Sequence, residues 1–112
     1  MADSLEDLRI RLAEFARARD WEQFHDPKNL SMALIAEAAE LVEHFQWLTP
    51  EQSRELPPAT RREVELEMAD ILIFLIRCAD RLGVDLVRAA NDKTDINEER
   101  FPASGPGGTS RD

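Results

Sequence analysis

Glycine and cysteine are scarce in this sequence of 112 residues, and acidic residues outnumber basic ones. It has only 4 glycines, and three of them fall within the C-terminal segment GPGG. The single cysteine, Cys78, excludes a disulfide bond within the chain and fits a reducing compartment. Lysine and arginine number 14 against 23 acidic residues, a formal net charge of -9. This balance argues against binding nucleic acid or an anionic membrane through a basic face.

A membrane span and a secretory signal are also missing from the pattern. The apolar run at residues 71–76 is far shorter than the roughly 18–20 residues that a membrane helix needs. The N-terminal segment MADSLEDLRIRLAEF is acidic and amphipathic, unlike a basic segment followed by an apolar one. We therefore expect a cytoplasmic protein that binds neither nucleic acid nor membrane.

Apolar residues recur at helical spacing and predict an all-α protein of four to five helices. Alternating β-branched runs are absent, whereas Ala, Leu, Glu and Arg are abundant. Ser4 and Asp85 are predicted to cap the first and last helices, and Asn29 the second. Gly83 is predicted to end the long helix before the last one. The predicted helices are residues 5–19, 29–48, 60–82 and 85–99, with one short helical turn within 50–58.

We expect one domain, residues 1–101, followed by a tail. The tail, residues 102–112, is rich in Pro, Gly and Ser and is predicted to be disordered. At residues 71–76 the long helix is apolar around more than a full turn, so it must be covered on every side. This favours a homo-oligomer, in which a second subunit covers part of the surface, over a helix at the centre of a monomeric bundle.

Two pairs of acidic residues have the same spacing on two predicted helices. Glu37 and Glu40 lie three apart in EAAE, and Glu67 and Asp70 lie three apart in EMAD. Residues three apart share one helix face, so two packed helices can direct four carboxylates into one space. Both pairs adjoin apolar stripes and are therefore expected at the edge of the core. Like charges placed there raise one another's pKa unless a counter-charge is present.

A divalent cation is the favoured counter-charge, and a structural ion-pair network is the alternative. Few Lys or Arg residues are placed to pair with the acids, and Arg77 is one turn or two away from Asp70. A site made only of oxygen ligands suits Mg²⁺ or Mn²⁺. His44, four residues after Glu40, raises a di-iron carboxylate site, although the Glu-x-x-His spacing of such bundles is absent.

The segments EAAELVEHFQW and ELEMADILIFLI resemble the MazG-like all-α nucleoside triphosphate pyrophosphatases, and the dCTP pyrophosphatase branch in particular. RDWEQFHDPKNL and KTDINEERFP are similar to the corresponding segments of that branch, so the resemblance covers residues 5–102. It implies a MazG-like bundle of four to five helices that assembles as a homotetramer, a dimer of dimers. It also implies Mg²⁺-dependent hydrolysis of a nucleoside triphosphate to the monophosphate and pyrophosphate, with Mn²⁺ as a substitute.

The resemblance further implies which residues form the site. By motif position, the metal ligands and catalytic residues would be Glu37, Glu40, Glu67 and Asp70. The base pocket would include Trp21, His25, Asn29, Trp47 and Phe74. Contacts with the phosphates or the sugar would come from Lys93 and Asn97. The implied substrate is dCTP or a modified pyrimidine deoxynucleotide, and the implied role is cleaning of the nucleotide pool.

Two functions of other classes stay open on the residues alone. A redox di-metal carboxylate bundle would contain iron and show an oxygen-dependent activity. A non-catalytic helical oligomerisation module would lose nothing but local stability when Glu67 is replaced by Gln.

Overall fold

The structure is a computed structural model that describes residues 1–103, and it is built from helices joined by short connections. A 3-10 turn, Glu22–Phe24, interrupts the first connection. No strand occurs among residues 1–103, so the all-α prediction is confirmed. The helices are α1 (Leu5–Ala18), α2 (Pro27–Glu43), α3 (Pro50–Arg54), α4 (Pro58–Leu82) and α5 (Leu86–Arg100).

Of the four residues predicted to cap or end a helix, three are confirmed. The Ser4 side chain accepts a hydrogen bond from the backbone N–H of Asp7 at 3.1 Å and caps α1. Asp85 caps α5 in the same way, accepting from the N–H of Arg88 at 3.0 Å. Gly83 ends α4 with a left-handed φ of 70°, a conformation that costs glycine little.

The predicted cap of α2 is wrong. Asp26, not Asn29, is the capping residue, and its carboxylate accepts the backbone N–H of Asn29 at 2.8 Å. Pro27 takes the first helical position, where a missing N–H costs nothing. The side-chain amide of Asn29 instead donates to the carbonyl of Phe24 at 3.2 Å and to Asp26 Oδ2 at 3.0 Å. Asn29 therefore ties the first connection to the start of α2.

Two further boundaries differ from prediction for local reasons. α2 ends at Glu43, not at residue 48, because residues 44–47 form a turn ahead of the capped start of α3. Thr49 and Gln52 form a reciprocal capping box at that start. α4 begins at Pro58, not at residue 60, because proline is tolerated in the first helical turn.

α4 organises the packing, since α2 lies along it and α1 packs against it. In the described part of the chain, α5 packs closely against no other helix. No helix among residues 1–103 has the length and apolar character needed to cross a bilayer. The buried apolar core is small and consists of Ala16, Leu30, Val64, Ile76 and Ala79.

Many large apolar side chains stay exposed on the single chain. Trp47 is 86% exposed, Ile35 66% and Leu82 60%. Within the apolar run of α4, Leu72 and Leu75 are 38% and 40% exposed. Apolar surface of this extent is typical of a face that another subunit covers. The predicted domain limits and the homo-oligomer itself stay predictions, and most of the predicted tail lies outside the described residues.

Candidate metal centre

α2 and α4 bring three of the four predicted acidic ligands together. Glu37 on α2 and Glu67 and Asp70 on α4 each offer one carboxylate oxygen, and these oxygens all lie within 4.8 Å of one another. Glu37 and Glu67 are half-buried, and Asp70 is exposed. The Oε2 atoms of Glu37 and Glu67 are shielded from solvent and have no hydrogen-bond partner in the described structure. We call these three residues the acidic cluster.

The acidic cluster is electrostatically frustrated. Burial raises the pKa of Glu37 to about 7, and the neighbouring carboxyl groups of Glu67, Glu40 and Asp70 raise it as well. Burial also raises the pKa of Glu67, and Glu40 adds to that effect while Glu37 and His44 oppose it. Glu40 is exposed and lies beside the acidic cluster, near enough to act on both glutamates.

No basic side chain of the described residues forms an ion pair with these four acids. Arg9 pairs with Glu6 and with Asp80, and Arg77 pairs with Asp80 at 3.0 Å. The alternative of a structural ion-pair network around the acids is therefore wrong for residues 1–103. Two shielded carboxylate oxygens without a partner are costly, and a bound cation would compensate them.

The donor set indicates the kind of metal that would fit. Among residues 1–103, the group of side chains that could hold a metal ion contains carboxylates only. His44 is not part of that group, and its Nδ1 lies 3.8 Å from Glu63 Oε2. Oxygen-only ligands favour a hard divalent cation such as Mg²⁺ or Mn²⁺, whereas a di-iron carboxylate bundle also uses histidine.

The first connection carries two of the predicted base-pocket residues, Trp21 and His25. The rings of Trp21 and His25 lie 6.1 Å apart between centroids, and Phe15 packs edge-on against Trp21 at 5.5 Å. Trp21 is 42% exposed, so part of the residue is accessible to a ligand. Asn29 holds the backbone of this connection through Phe24, as described above. Three of the predicted base-pocket residues therefore belong to one segment.

The other predicted substrate contacts are placed separately. Trp47 lies in the turn after α2 and is 86% exposed, and Phe74 is half-buried on α4. Lys93 is exposed and Asn97 is half-buried, both on α5. Within residues 1–103, no hydrogen bond or ring pair joins these four side chains to Trp21. Their roles stay predictions.

An ion-pair network between α1, α4 and the first connection was not predicted. It runs from Arg9 through Asp80 to Arg77, and Arg77 reaches His25. A signal for it was present in the sequence, because RCAD places Arg77 and Asp80 three apart inside an apolar stretch. A cleft of about 530 Å³ adjoins this network between α1, the end of α4 and the start of α5, and the acidic cluster does not line it.

Comparisons with known proteins agree on one family. The MazG-like family model matches residues 33–111. dCTP pyrophosphatase 1 of Homo sapiens is 47% identical over 102 residues, which cover 89% of this chain and 60% of that protein. Its Mus musculus counterpart is 46% identical over 101 residues, covering 88% and 59%. The chain thus spans about three fifths of the length of these curated relatives.

A solved structure has the same architecture. The crystal structure of a pyrophosphatase from Archaeoglobus fulgidus superposes with a TM-score of 0.83 at 35% sequence identity. The match covers 91% of this chain and 95% of that one. It confirms the predicted MazG-like helical bundle as the fold of this chain.

Proposed function

The chain belongs to the MazG-like family, and from that premise we propose that it hydrolyses a nucleoside triphosphate to the monophosphate and pyrophosphate. The observation that carries this proposal is the acidic cluster, with two shielded carboxylate oxygens and no ion pair to a basic residue. A triphosphate is strongly anionic, and so is this protein at a net charge of -9. A divalent cation between the two is the simplest way to bring them together.

Mg²⁺ is the proposed cofactor, held by Glu37, Glu67 and Asp70 with Glu40 joining from the edge, and Mn²⁺ is expected to substitute. When bound, the cation would neutralise phosphate oxygens and make a coordinated water more acidic. The fit is supported by the donor chemistry, since all four side chains offer carboxylate oxygens at the junction of two helices.

A side chain of this protein is proposed to accept the proton that the attacking water releases. During hydrolysis a water oxygen bonds to the α- or the β-phosphorus, the bond from that phosphorus to the bridging oxygen breaks, and the monophosphate and pyrophosphate separate. The proton of that water must pass to a base near the acids. Glu43 and Glu63 are candidates outside the acidic cluster, and Glu63 lies 3.8 Å from His44 Nδ1. A protonated Glu63 could hand its proton on toward that ring.

The proposed substrate is dCTP or a modified pyrimidine deoxynucleotide. This rests on relatives named dCTP pyrophosphatase 1 at 46–47% identity. Trp21, which is partly exposed, is the proposed stacking surface, and such stacking tolerates any base. Selectivity would therefore depend on polar groups beside it. The proposed polar and aromatic contacts are His25, Asn29, Trp47, Phe74, Lys93 and Asn97.

The proposed assembly is a homotetramer made of two dimers. The exposed apolar side chains of α2, α4 and the turn after α2 supply the surface for it. A second subunit that covers these side chains would also enclose the acidic cluster, in which Asp70 is exposed to solvent on the single chain. A role in nucleotide-pool cleaning and a cytoplasmic location stay predictions.

The proposal is tested by pyrophosphate release from a panel of common and 5-substituted nucleotides with Mg²⁺. We expect turnover of dCTP, and its loss when the cation is chelated. Asp70→Asn should lower kcat/KM by about two to three orders of magnitude, because several kcal/mol of charge stabilisation depend on the metal. Glu65→Gln, an exposed acid on the same helix, is the matched control and should keep full activity.

Other results would contradict the proposal. Full activity of Asp70→Asn, or activity that survives chelation, would remove the metal assignment. Bound iron with an oxygen-dependent reaction would favour the redox bundle. A protein that releases no pyrophosphate and changes only in stability on Glu67→Gln would favour the oligomerisation module.

A further inference from the structure

Arg77 is a buried cation that the proposed hydrolysis does not use. It lies on α4 and is only 2% exposed. Its Nη1 donates to Asp80 Oδ2 at 3.0 Å, and its Nε donates to His25 Nδ1 at 3.3 Å. Burying an arginine is expensive, so a side chain held in this way needs compensation from its partners.

Asp80 fixes the orientation of the Arg77 guanidinium. Its second oxygen, Oδ1, accepts a hydrogen bond from Arg9 Nη1 on α1 at 3.0 Å. The carboxylate is thereby held from two sides and cannot rotate without losing one partner. Because the guanidinium is planar, fixing Nη1 on Asp80 also fixes the direction in which Nε points. That direction is toward His25.

The bond from Arg77 decides where the hydrogen of the His25 ring lies. A guanidinium stays protonated and can only donate, so Nδ1 of His25 must accept. A neutral imidazole with Nδ1 as acceptor carries its hydrogen on Nε2. Protonating Nδ1 would break this bond and set two positive charges against each other.

We infer that Arg77 is a positioning residue that holds His25 as the neutral tautomer with its hydrogen on Nε2, so that the ring offers one fixed donor beside Trp21. Resting on the proposed function, this assigns to His25 the recognition of an acceptor atom on the nucleotide base, such as a carbonyl oxygen or an unprotonated ring nitrogen. Trp21 supplies a stacking face that accepts any base, and the hydrogen bond from His25 discriminates between bases.

The surroundings of His25 support the neutral form. Burial lowers the pKa of His25, and the charges of Arg77 and Arg81 on α4 lower it further, while Glu22 opposes them. The ring lies 6.1 Å from Trp21, which in turn packs against Phe15. The Nε2–H donor of His25 therefore has a fixed position. A base stacked on Trp21 would meet this donor in one orientation.

The first test measures the tautomer directly, without substrate. A long-range ¹H–¹⁵N spectrum of the whole 112-residue chain near neutral pH should show His25 Nε2 protonated and Nδ1 unprotonated. In Arg77→Met the ¹⁵N chemical shifts of both ring nitrogens should move toward those of a ring that exchanges between tautomers. Arg81→Met is the matched control, because it removes a nearby positive charge and no hydrogen bond to His25. It should leave the tautomer unchanged.

The second test is kinetic. In Arg77→Met the KM for dCTP should rise about tenfold, the effect of one misdirected hydrogen bond, while kcat changes less than twofold. A base contact remote from phosphorus stabilises ground state and transition state alike, which places the loss in KM. In His25→Gln, which keeps an amide donor but no ring tautomer, adding Arg77→Met should change KM no further.

The outcomes separate this inference from the proposed function. A wild-type His25 protonated on Nδ1, or equal KM losses from Arg77→Met with and without His25, would overturn the positioning role while hydrolysis stands. Absence of pyrophosphate release from any nucleotide would overturn the proposed function, whatever the spectrum shows. If Arg77→Met does not fold, Arg77→Lys and the wild-type spectrum still decide, because a lysine cannot donate to Asp80 and His25 in the same planar arrangement.

Discussion

The helix α4 carries two pairs of charged residues that have the same spacing but differ in whether their charges are compensated. Glu67 and Asp70 lie three apart near its middle, and Arg77 and Asp80 lie three apart near its end. In the second pair the charges are opposite and in contact at 3.0 Å. In the first pair both charges are negative, and Glu37 adds a third from α2.

The difference shows which charges the chain compensates by itself. At the end of α4, each oxygen of Asp80 meets an arginine. In the middle of α4, shielded oxygens of Glu37 and Glu67 are left without any partner in residues 1–103. Arg77 Nη2 has no hydrogen-bond partner among residues 1–103, but both oxygens of Asp80 are paired. A carboxylate paired on both oxygens stabilises a fold, whereas shielded carboxylates without a partner are suited to a ligand of opposite charge. The following predictions alter one cluster at a time.

Removing the shared carboxylate should have the largest effect on stability. Asp80→Asn keeps the shape but leaves the buried Arg77 without its anion and removes one of the two anions that pair with Arg9. Breaking a buried pair in this way costs about 3–5 kcal/mol, measurable by urea unfolding at one fixed protein concentration. Asp92→Asn, an exposed acid on α5, is the control and should be neutral. Equal stability of both variants would show that the network contributes little.

Supplying the missing cation should have the next largest effect. At a Mg²⁺ concentration of about 100 times Kd, binding to the folded state alone adds about 2.7 kcal/mol to the free energy of unfolding. The thermal midpoint should therefore rise with Mg²⁺ and not with NaCl of equal ionic strength. A double variant, Glu37→Gln with Glu67→Gln, should lose this rise. A Mg²⁺ response that survives in the double variant would place the ion elsewhere.

Without a cation, the acidic cluster should destabilise the fold as pH rises. Since the pKa of Glu37 is raised from 4.5 to about 7, the folded state binds more protons than the unfolded chain between these values. Stability of the metal-free protein should therefore fall across that window. Glu37→Gln should flatten the fall and raise the thermal midpoint above pH 7 by a few degrees. A steeper fall in the variant would contradict the assignment.

The sequence was sufficient for most features that depend on neighbours along the chain. Helical periodicity, the caps at Ser4 and Asp85 and the stop at Gly83 are local effects, and they were predicted. The matching acid pairs were also predicted to converge, because equal spacing on two apolar stripes leaves few other arrangements. The cap of α2 failed since Asp26 and Asn29 are both good capping residues and Pro27 decides between them.

What the sequence did not reveal depends on contacts between distant segments. Arg77 was considered as a counter-charge for the acids one or two turns away, yet it pairs with Asp80 and reaches His25, 52 residues back along the chain. Spacing within a helix cannot show which side of α4 faces α1 and which faces α2. Spacing also could not show that Glu40 lies at the edge of the acidic cluster while Oε2 of Glu37 is shielded, because both residues belong to one motif.

The smallest effect is expected at the exposed end of the paired network, and its pH dependence should have the opposite sign to that of Glu37. Hydrogen bonding to Arg9, together with that residue's charge, lowers the pKa of Glu6. The unfolded chain therefore binds more protons there, so the stabilisation is present above pH 4.5 and is lost as pH falls through the lowered value. Glu6→Gln should differ slightly from wild type at neutral pH and not at all in strong acid. High salt should also erase the difference, because an exposed pair is screened, whereas a difference that persists in salt would indicate packing.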